Sequence, residues 1–113
     1  MIARMWHGRV PLVRATEYEA YLAVTGLADY RATPGNRGAW LLRQDEGEVV
    51  HFTTLTFWES VEAIIAFAGP EYERARYYPE DDAFLLEREP QVRHFTVVDT
   101  PECPSPSTGE ATG

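Results

Sequence analysis

Hydrophobic and polar residues alternate along four segments of the chain with the period of two that is typical of β-strands. The first segment, "IARMWHGRV", is closed by Pro11, which cannot donate to a hydrogen-bond ladder. In "VVHFTTLTFW", apolar side chains occupy both alternating sets of positions, so both faces of this strand are expected to be covered. The pattern predicts strands at residues 2–10, 39–44, 49–58 and 91–99.

Between the strands the spacing becomes helical. Apolar residues recur at i, i+3, i+4 and i+7 from Tyr18 to Thr25, and Thr16 is the expected N-cap of this helix. Ser60 is a suitable N-cap for the next helix, and Pro70, which follows that helix, suits the first turn of another short one. The pattern predicts helices at residues 14–32, 61–69 and 71–77.

The order of the main elements is β-α-β-β-α-β, which predicts an α+β fold, a ferredoxin-like protomer with the spatial strand order 4-1-3-2. One face of the sheet packs against the helices. Because the other face is also apolar, a second copy of the sheet is its expected cover, which gives a two-fold homodimer through the sheet face. The folded domain is predicted at residues 1–99 and a disordered tail, rich in Pro, Ser, Thr and Gly, at 100–113.

Composition narrows the class of protein. A chain of 113 residues suffices for one domain, and no apolar stretch approaches the ~20 residues of a membrane span. The net charge of −8 argues against nucleic acid and anionic membranes as partners. The N-terminal segment lacks the apolar centre of a signal peptide, so a cytoplasmic protein is expected.

Several kinds of chemistry are excluded by missing residues. All ten basic residues are arginine, and without lysine there is no Schiff-base catalysis. The sequence also lacks CxxC, HExxH, GxGxxG and GxxxxGK[ST] motifs. Zinc ribbons, zincins, dinucleotide-binding sites and P-loops are therefore not predicted.

The stretch "FWESVEA", where the third strand meets its helix, resembles the W-x-S-x-E-A signature of the antibiotic biosynthesis monooxygenase family. This family is a branch of the dimeric α/β-barrel superfamily, and the resemblance covers roughly residues 1–99. It implies a pocket between helices and sheet. The superfamily includes cofactor-free oxygenases, haem-degrading enzymes and isomerases, so the fold alone does not choose an activity.

Two active branches of the family differ from this chain at informative positions. Quinone-forming oxygenases carry an Asn four residues before the strand-end Trp and a Tyr six residues after it. This chain keeps Trp58 but has Thr54 and Ile64 there. The haem-degrading branch uses an Asn on the first strand, then a Trp and a His on and after the second helix. The ungapped counterparts here are His7, Phe67 and Tyr77.

The resemblance implies, as the leading hypothesis, an enzyme that oxidises an aromatic or polyketide-like phenol with O₂ and without a bound cofactor. Deprotonation makes such a substrate electron-rich enough to reduce O₂, so the protein supplies orientation and oxyanion donors. The expected proton acceptor is His7, with Trp58 and Tyr77 as donors. The residues expected to bind substrate are Arg4, Trp6, Thr54, Phe67 and Tyr78.

Three questions about these residues stay open in the sequence. Trp58 is either a buried plug or a pocket wall whose indole N–H faces the substrate. Trp6 and His7 point to opposite sides of their strand, so only one of them faces the helices. Arg4, if buried, needs either a carboxylate across the dimer or an acidic ligand.

Rival functions also remain. Haem binding would use His7 or Tyr77 as the iron ligand. A non-enzymatic dimer that binds a hydrophobic metabolite is the other rival. A three-histidine metal site is permitted by His7, His51 and His94, which lie on strands predicted to be neighbours.

Overall fold

The computed structural model describes residues 1–100, so the predicted disordered tail lies outside the described residues except for Thr100. Short 3₁₀ turns occupy Leu12–Arg14 and Asp81–Ala83. No helix within residues 1–100 has the length and apolar character needed to cross a membrane. The strands are β1 (Ile2–Pro11), β2 (Asn36–Glu46), β3 (Val49–Trp58) and β4 (Arg93–Thr96), and the helices are α1 (Ala15–Val24), α2 (Gly26–Ala32) and α3 (Val61–Ala68).

The four strands form one antiparallel sheet in the order β2-β3-β1-β4, which confirms the predicted order 4-1-3-2 and the ferredoxin-like α+β fold. Strands β2 and β3 are joined by a two-residue turn at Gly47 and Glu48. Gly47 has φ of 62°, a conformation that glycine adopts without steric cost. The turn therefore lies where the acidic "DEGE" stretch predicts it.

The two faces of the sheet differ in cover. Side chains of one face pack against the helices in two hydrophobic clusters, one around Tyr18 and Phe52 and the other around Trp58 and Ile64. We call this the helix face, and the opposite side the open face. Burial alternates along β3 and along β1 from Arg4 onward, so even-numbered residues lie on the helix face and odd-numbered residues on the open face.

The first predicted helix is divided in two. Thr25 leaves helical geometry with ψ of −90°, and its hydroxyl donates 2.8 Å to the carbonyl of Tyr21. The prediction of Thr16 as N-cap is wrong, because the 3₁₀ turn runs directly into α1, which begins at Ala15. The N-cap at Ser60 is confirmed by a 3.2 Å hydrogen bond from the backbone N–H of Ala63.

The predicted helix over 71–77 is wrong. This stretch pairs instead with residues just before β4, through the isolated bridge between Arg74 and Gln91 and a hydrogen bond from Val92 N to Glu73 O. Because Gln91 and Val92 pair there, β4 is shorter than predicted. Residues 69–92 thus form an irregular segment that covers the helix face and then follows the edge of β1, where Leu86 N donates to Arg9 O. We call it the covering segment.

Candidate functional site

A small cavity lies between the helix face, α1, α2 and the covering segment. Its volume is about 20 Å³, enough for about one water molecule. We call it the helix-side cavity. It is lined by Arg4, Trp6, Tyr18, Leu22, Gly26, Tyr30, Thr54, Arg76, Tyr78 and Asp81.

Arg4 is the buried cation of this cavity. Its side chain is only 2% exposed, and its Nη2 donates 3.2 Å to the carbonyl oxygen of Arg74. The guanidinium lies over the Phe67 ring, 5.5 Å from the centroid, and its Nε has no hydrogen-bond partner within residues 1–100. Burial lowers the pKa of Arg4, but an arginine remains charged at neutral pH. A charged donor is therefore buried with part of its hydrogen-bonding capacity unused.

Hydroxyl groups stand beside this cation. Tyr30 Oη and Thr54 Oγ1 are 3.0 Å apart, and both side chains are buried. Burial raises the pKa of Tyr30, and burial followed by its hydrogen bond to Asp29 raises the pKa of Tyr78. Both phenols therefore stay protonated at neutral pH and remain hydrogen-bond donors.

Asp81 holds the covering segment against α1. It is 3% exposed, and its Oδ1 accepts a 2.9 Å hydrogen bond from the Tyr18 hydroxyl. Its Oδ2 accepts from the backbone N–H of Tyr78. Burial, and then the neighbouring Asp81 carboxylate, raise the pKa of Tyr18. The segment is fixed here by a fully buried carboxylate rather than by secondary structure.

Arg76 closes the cavity from the covering segment. Its Nη1 donates 2.9 Å to the carbonyl oxygen of Phe67, and its Nη2 lies 3.5 Å from Asp29. It also lines a separate groove of about 320 Å³ between α2 and α3. Arg76 therefore stands between the cavity and a larger external space.

Four of the five residues predicted to bind substrate line the helix-side cavity, namely Arg4, Trp6, Thr54 and Tyr78. Phe67 does not line it, but its ring contacts both arginines of the site. The open question about the first strand is also answered, because Trp6 faces the helices and His7 does not.

The residues predicted to be catalytic do not line this cavity. Trp58 is completely buried, and its indole N–H donates 2.8 Å to Thr56 Oγ1 within the core. Tyr77 accepts a 3.4 Å hydrogen bond from Trp6 Nε1 and donates to the carbonyl oxygen of Glu89. The geometry therefore does not place these two donors where a ligand in the cavity would meet them.

His7 lies on the open face, across the sheet from Trp58. It is part of a hydrogen-bonded chain with distances of 2.6 Å from Glu89 to His7, 2.9 Å from His7 to His51 and 2.7 Å from His51 to Glu46. It also lines a separate pocket of about 300 Å³ on that face. The expectation that His7 shares one pocket with Trp58 is wrong, because the odd-numbered residues of β1 and the even-numbered residues of β3 lie on opposite faces of the sheet.

The three-histidine metal site that the strand order permits is not formed within residues 1–100. His94 pairs in register with Arg4 on the helix face and packs edge-on against Tyr72, whereas His7 and His51 lie on the open face. Burial, and then the charge of Arg4, lower the pKa of His94. Across residues 1–100, no group of three or more His, Cys, Asp or Glu side chains is arranged to hold a metal ion.

Sequence reasoning missed several residues of the cavity. Tyr18, Leu22, Gly26 and Tyr30 follow one another at steps of four, and continuing this stripe past Thr25 would have found Gly26 and Tyr30. Arg76 and Asp81 come from the covering segment, whose irregular sequence carries no such period. They are placed by tertiary contacts alone.

The open face carries an apolar groove of about 640 Å³. Trp40 is 53% exposed there and meets Phe57 edge-on, with ring centroids 5.6 Å apart. Exposed aromatic and aliphatic side chains in one patch are typical of an interaction surface. The groove is lined by Met1, Arg37, Trp40, Leu42, Leu55, Phe57 and Thr100.

No family model and no curated protein matches this sequence. Solved structures do match. One is MhuD (Rv3592) from Mycobacterium tuberculosis, a heme degrader whose structure has two hemes bound in its active site. It is 26% identical to this chain, with a TM-score of 0.60, and the match covers 90% of this chain and 100% of MhuD. Rv0793 from the same organism is 17% identical, with a TM-score of 0.56 over 90% and 100% of the two chains. A NIPSNAP-like domain protein from Burkholderia xenovorans is 20% identical, with a TM-score of 0.55 over 91% and 90%.

The chain has the fold of these proteins. This confirms the predicted fold class. Membership of the antibiotic biosynthesis monooxygenase family remains a prediction from "FWESVEA".

Proposed function

We propose that this protein is a homodimeric enzyme of the antibiotic biosynthesis monooxygenase type, which oxidises an aromatic or polyketide-like phenol with O₂ and without a bound cofactor. The helix-side cavity is its active site, and the sheet pairs with a second copy through the open face. The observation that carries this proposal is the set of buried donors around the cavity, Arg4, Tyr30 and Thr54. Such donors, held away from water, stabilise a developing oxyanion.

The reaction needs no redox group from the protein. With a dihydroxyanthrone, both C–H bonds of the ring methylene break, one atom of O₂ becomes the new carbonyl oxygen, and the other leaves as water with both hydrogens. The substrate supplies all the electrons. The protein lowers the barrier by favouring the deprotonated, electron-rich form of the substrate.

Asp81 replaces His7 as the proposed proton acceptor. Among the residues that the structure describes, it is the only carboxylate in the cavity lining, and it is almost completely buried. A carboxylate oxygen has spare lone pairs after it accepts one hydrogen bond, so both oxygens of Asp81 can still accept a proton. His7 cannot serve a ligand in this cavity because the sheet separates them.

Substrate entry requires the covering segment to move, because a space of about 20 Å³ does not admit a phenol ring. This segment contributes Arg76, Tyr78 and Asp81 to the lining and contains only one 3₁₀ turn. It is held largely by side-chain hydrogen bonds, such as those of Tyr18 with Asp81 and Tyr78 with Asp29. Loops that cover a site in this way commonly open for substrate exchange.

The test is oxygen consumption with dihydroxyanthrone in a buffer that contains a metal chelator, with the spontaneous rate subtracted. We expect the wild-type protein to consume O₂ and incorporate one ¹⁸O atom from ¹⁸O₂. Tyr30→Phe should lower kcat/KM by about 100- to 1,000-fold, because one donor to the oxyanion is lost. Tyr72→Phe, outside the cavity lining, is the matched control and should retain the wild-type rate. If Tyr30→Phe turned over as fast as wild type, the cavity would not be the active site.

Haem binding is a second candidate, favoured by the 26% identity to MhuD. The residues of the cavity do not fit this group. Within residues 1–100 the lining includes neither histidine nor cysteine, and the hydroxyls of its tyrosines, Tyr18, Tyr30 and Tyr78, are already engaged by Asp81, Thr54 and Asp29. The hydroxyl of Tyr77 is likewise engaged by Trp6 and Glu89. A titration with haemin decides between the candidates: we expect no intense, saturable visible absorption band, and its appearance would favour haem over a phenol.

The non-enzymatic alternative predicts a pocket closed by apolar side chains with no polar group directed inward. The lining instead includes Arg4, Thr54, Arg76 and Asp81. This arrangement favours a site that recognises polar atoms of its ligand.

A further inference from the structure

Arg4 differs from the other arginines of residues 1–100, because it alone is fully buried. None of the salt bridges within these residues includes it. Burial lowers the pKa of Arg4, and the like charge of Arg76 lowers it further. A buried guanidinium is stable only where an anion or enough acceptors compensate its lost hydration. Here no group in the described part of the chain accepts a hydrogen bond from the Nε–H.

A second copy of the chain cannot supply the missing negative charge by pairing through the open face. Arg4 lies on the helix face, between Phe67 and the carbonyl oxygen of Arg74, with the whole sheet between it and the open face. The sequence leaves two partners open for a buried Arg4, a carboxylate across the dimer or an acidic ligand. Pairing through the open face excludes the carboxylate. An acidic ligand remains.

We propose that the helix-side cavity recognises an anionic oxygen of a small organic acid, a carboxylate or a phenolate, which accepts a hydrogen bond from the Nε–H of Arg4. This inference rests on the proposed function for the identity of the substrate site, and it adds that the substrate binds as an anion. The hydroxyls of Tyr30 and Thr54 line the same cavity and supply further hydrogen bonds. Charge-assisted hydrogen bonds of this kind are stronger than neutral ones.

The rest of such a ligand has a place beside the cavity. The groove of about 320 Å³ between α2 and α3 shares Arg76 with the cavity, so rotation of this half-exposed side chain would join the two spaces. The groove also borders Phe67, whose ring provides an aromatic surface. The site therefore suits an acid whose charged oxygen enters the cavity while its ring lies in the groove.

The test uses sodium formate, the smallest carboxylate, in place of sodium chloride at constant ionic strength, and formamide as the uncharged control. The ¹⁵N–¹H spectrum reports directly on the Nε–H of Arg4 and on the backbone amides of Gly26 and Thr54. We expect formate to shift these three signals with a common saturation curve and formamide to leave them in place. An unmoved Arg4 Nε–H signal at saturating formate would overturn the proposal.

The variant Arg4→Met keeps the length of the side chain and removes its charge and donors. We expect formate to bind about tenfold or more weakly to Arg4→Met, read from the Gly26 and Thr54 amides. Arg31→Met, an exposed arginine outside the cavity lining, is the matched control and should bind formate as wild type does. If Arg4→Met does not fold, Arg4→Lys keeps the charge without the Nε–H and should also weaken binding. Wild-type affinity in the folded variant would overturn the proposal.

The outcomes separate this inference from the proposed function. Formate binding at Arg4 in a protein that consumes no O₂ would support the anion site and reject the oxygenase. Oxygen consumption in a protein whose Arg4 Nε–H signal does not shift with formate would support the oxygenase and reject the anion site.

Discussion

At the scale of single residues, the face of the strand on which a side chain lies determines its surroundings more than its residue type does. Trp58 is at the strand end where the family signature predicts a functional tryptophan, yet it is fully buried among Tyr30, Ile64 and Phe67. Its indole N–H is used by Thr56, two residues earlier on the same face. The geometry favours the plug over the pocket wall.

Replacing Trp58 by Phe should therefore lower the free energy of unfolding by about 1–3 kcal/mol, since buried volume and the hydrogen bond to Thr56 are lost. Urea denaturation measures this loss. Turnover of the folded variant should be largely retained, because Trp58 does not line the helix-side cavity. A variant with wild-type stability and strongly reduced turnover would instead identify Trp58 as part of the active site.

More of the residues predicted to bind substrate line the helix-side cavity than of those predicted to be catalytic. The sequence pattern alone identified four of the lining residues, because each lies in a strand or loop that the local pattern predicts. They are Arg4, Trp6, Thr54 and Tyr78. The sequence does not show which alternating set of β1 residues faces the helices. Trp6 and His7 are equally plausible inward residues when both faces of the sheet carry apolar side chains. Only the packing of α1 against Trp6 and Phe52 decides which set is buried.

At the scale of elements, strands and helices with strong periodicity were predictable, and elements fixed by distant contacts were not. Helical spacing runs through Thr25 without interruption, so the break between α1 and α2 has no periodic signal. Residues 71–77 carry good helix formers, yet their pairing with Gln91 and Val92 prevails. Local propensity is a weak prior when tertiary hydrogen bonds compete with it.

Two glycines, Gly26 at the start of α2 and Gly35 in the loop after it, should respond in opposite ways to alanine. At Gly26, an added Cβ would lie 3.8 Å from Tyr30, an ordinary contact, so Gly26→Ala should raise the free energy of unfolding by about 0.4–1 kcal/mol. At Gly35, with φ of 91°, it would lie 2.5 Å from Ala63 Cβ, so Gly35→Ala should lower it by about 1–3 kcal/mol. Parallel urea denaturation of both variants checks the contrast. Equal changes in the free energy of unfolding would show that the backbone conformation of Gly35 does not set the cost of its replacement.

At the scale of the whole molecule, the order of elements was sufficient to predict the strand order, because the split β-α-β arrangement leaves few ways to place four strands. The dimer remains a prediction. It depends on the exposed apolar groove around Trp40 and Phe57, which one chain leaves in contact with solvent.

Trp40→Glu should convert the proposed dimer to a monomer, because it would bury an unpaired carboxylate in the interface. Sedimentation velocity gives the mass, and circular dichroism shows whether the fold is kept. Val24→Glu is the matched control, since Val24 is an exposed apolar residue on α1 rather than on the sheet. A wild-type protein that sediments as a monomer at micromolar concentration would refute the pairing, as would a Trp40→Glu variant that remains dimeric.

The unpartnered donor of Arg4 also has a thermodynamic consequence for the folding equilibrium. A ligand that binds only the folded chain and supplies a negative charge there shifts the equilibrium away from unfolding, by about 2.7 kcal/mol at a concentration a hundredfold above its Kd. The native substrate should thus reveal itself by raising the melting temperature before any reaction is known. A collection of aromatic acids can be ranked by this rise in the wild-type protein and again in Arg4→Met. Acids that raise the melting temperature of the wild-type protein alone are the ligands that Arg4 recognises.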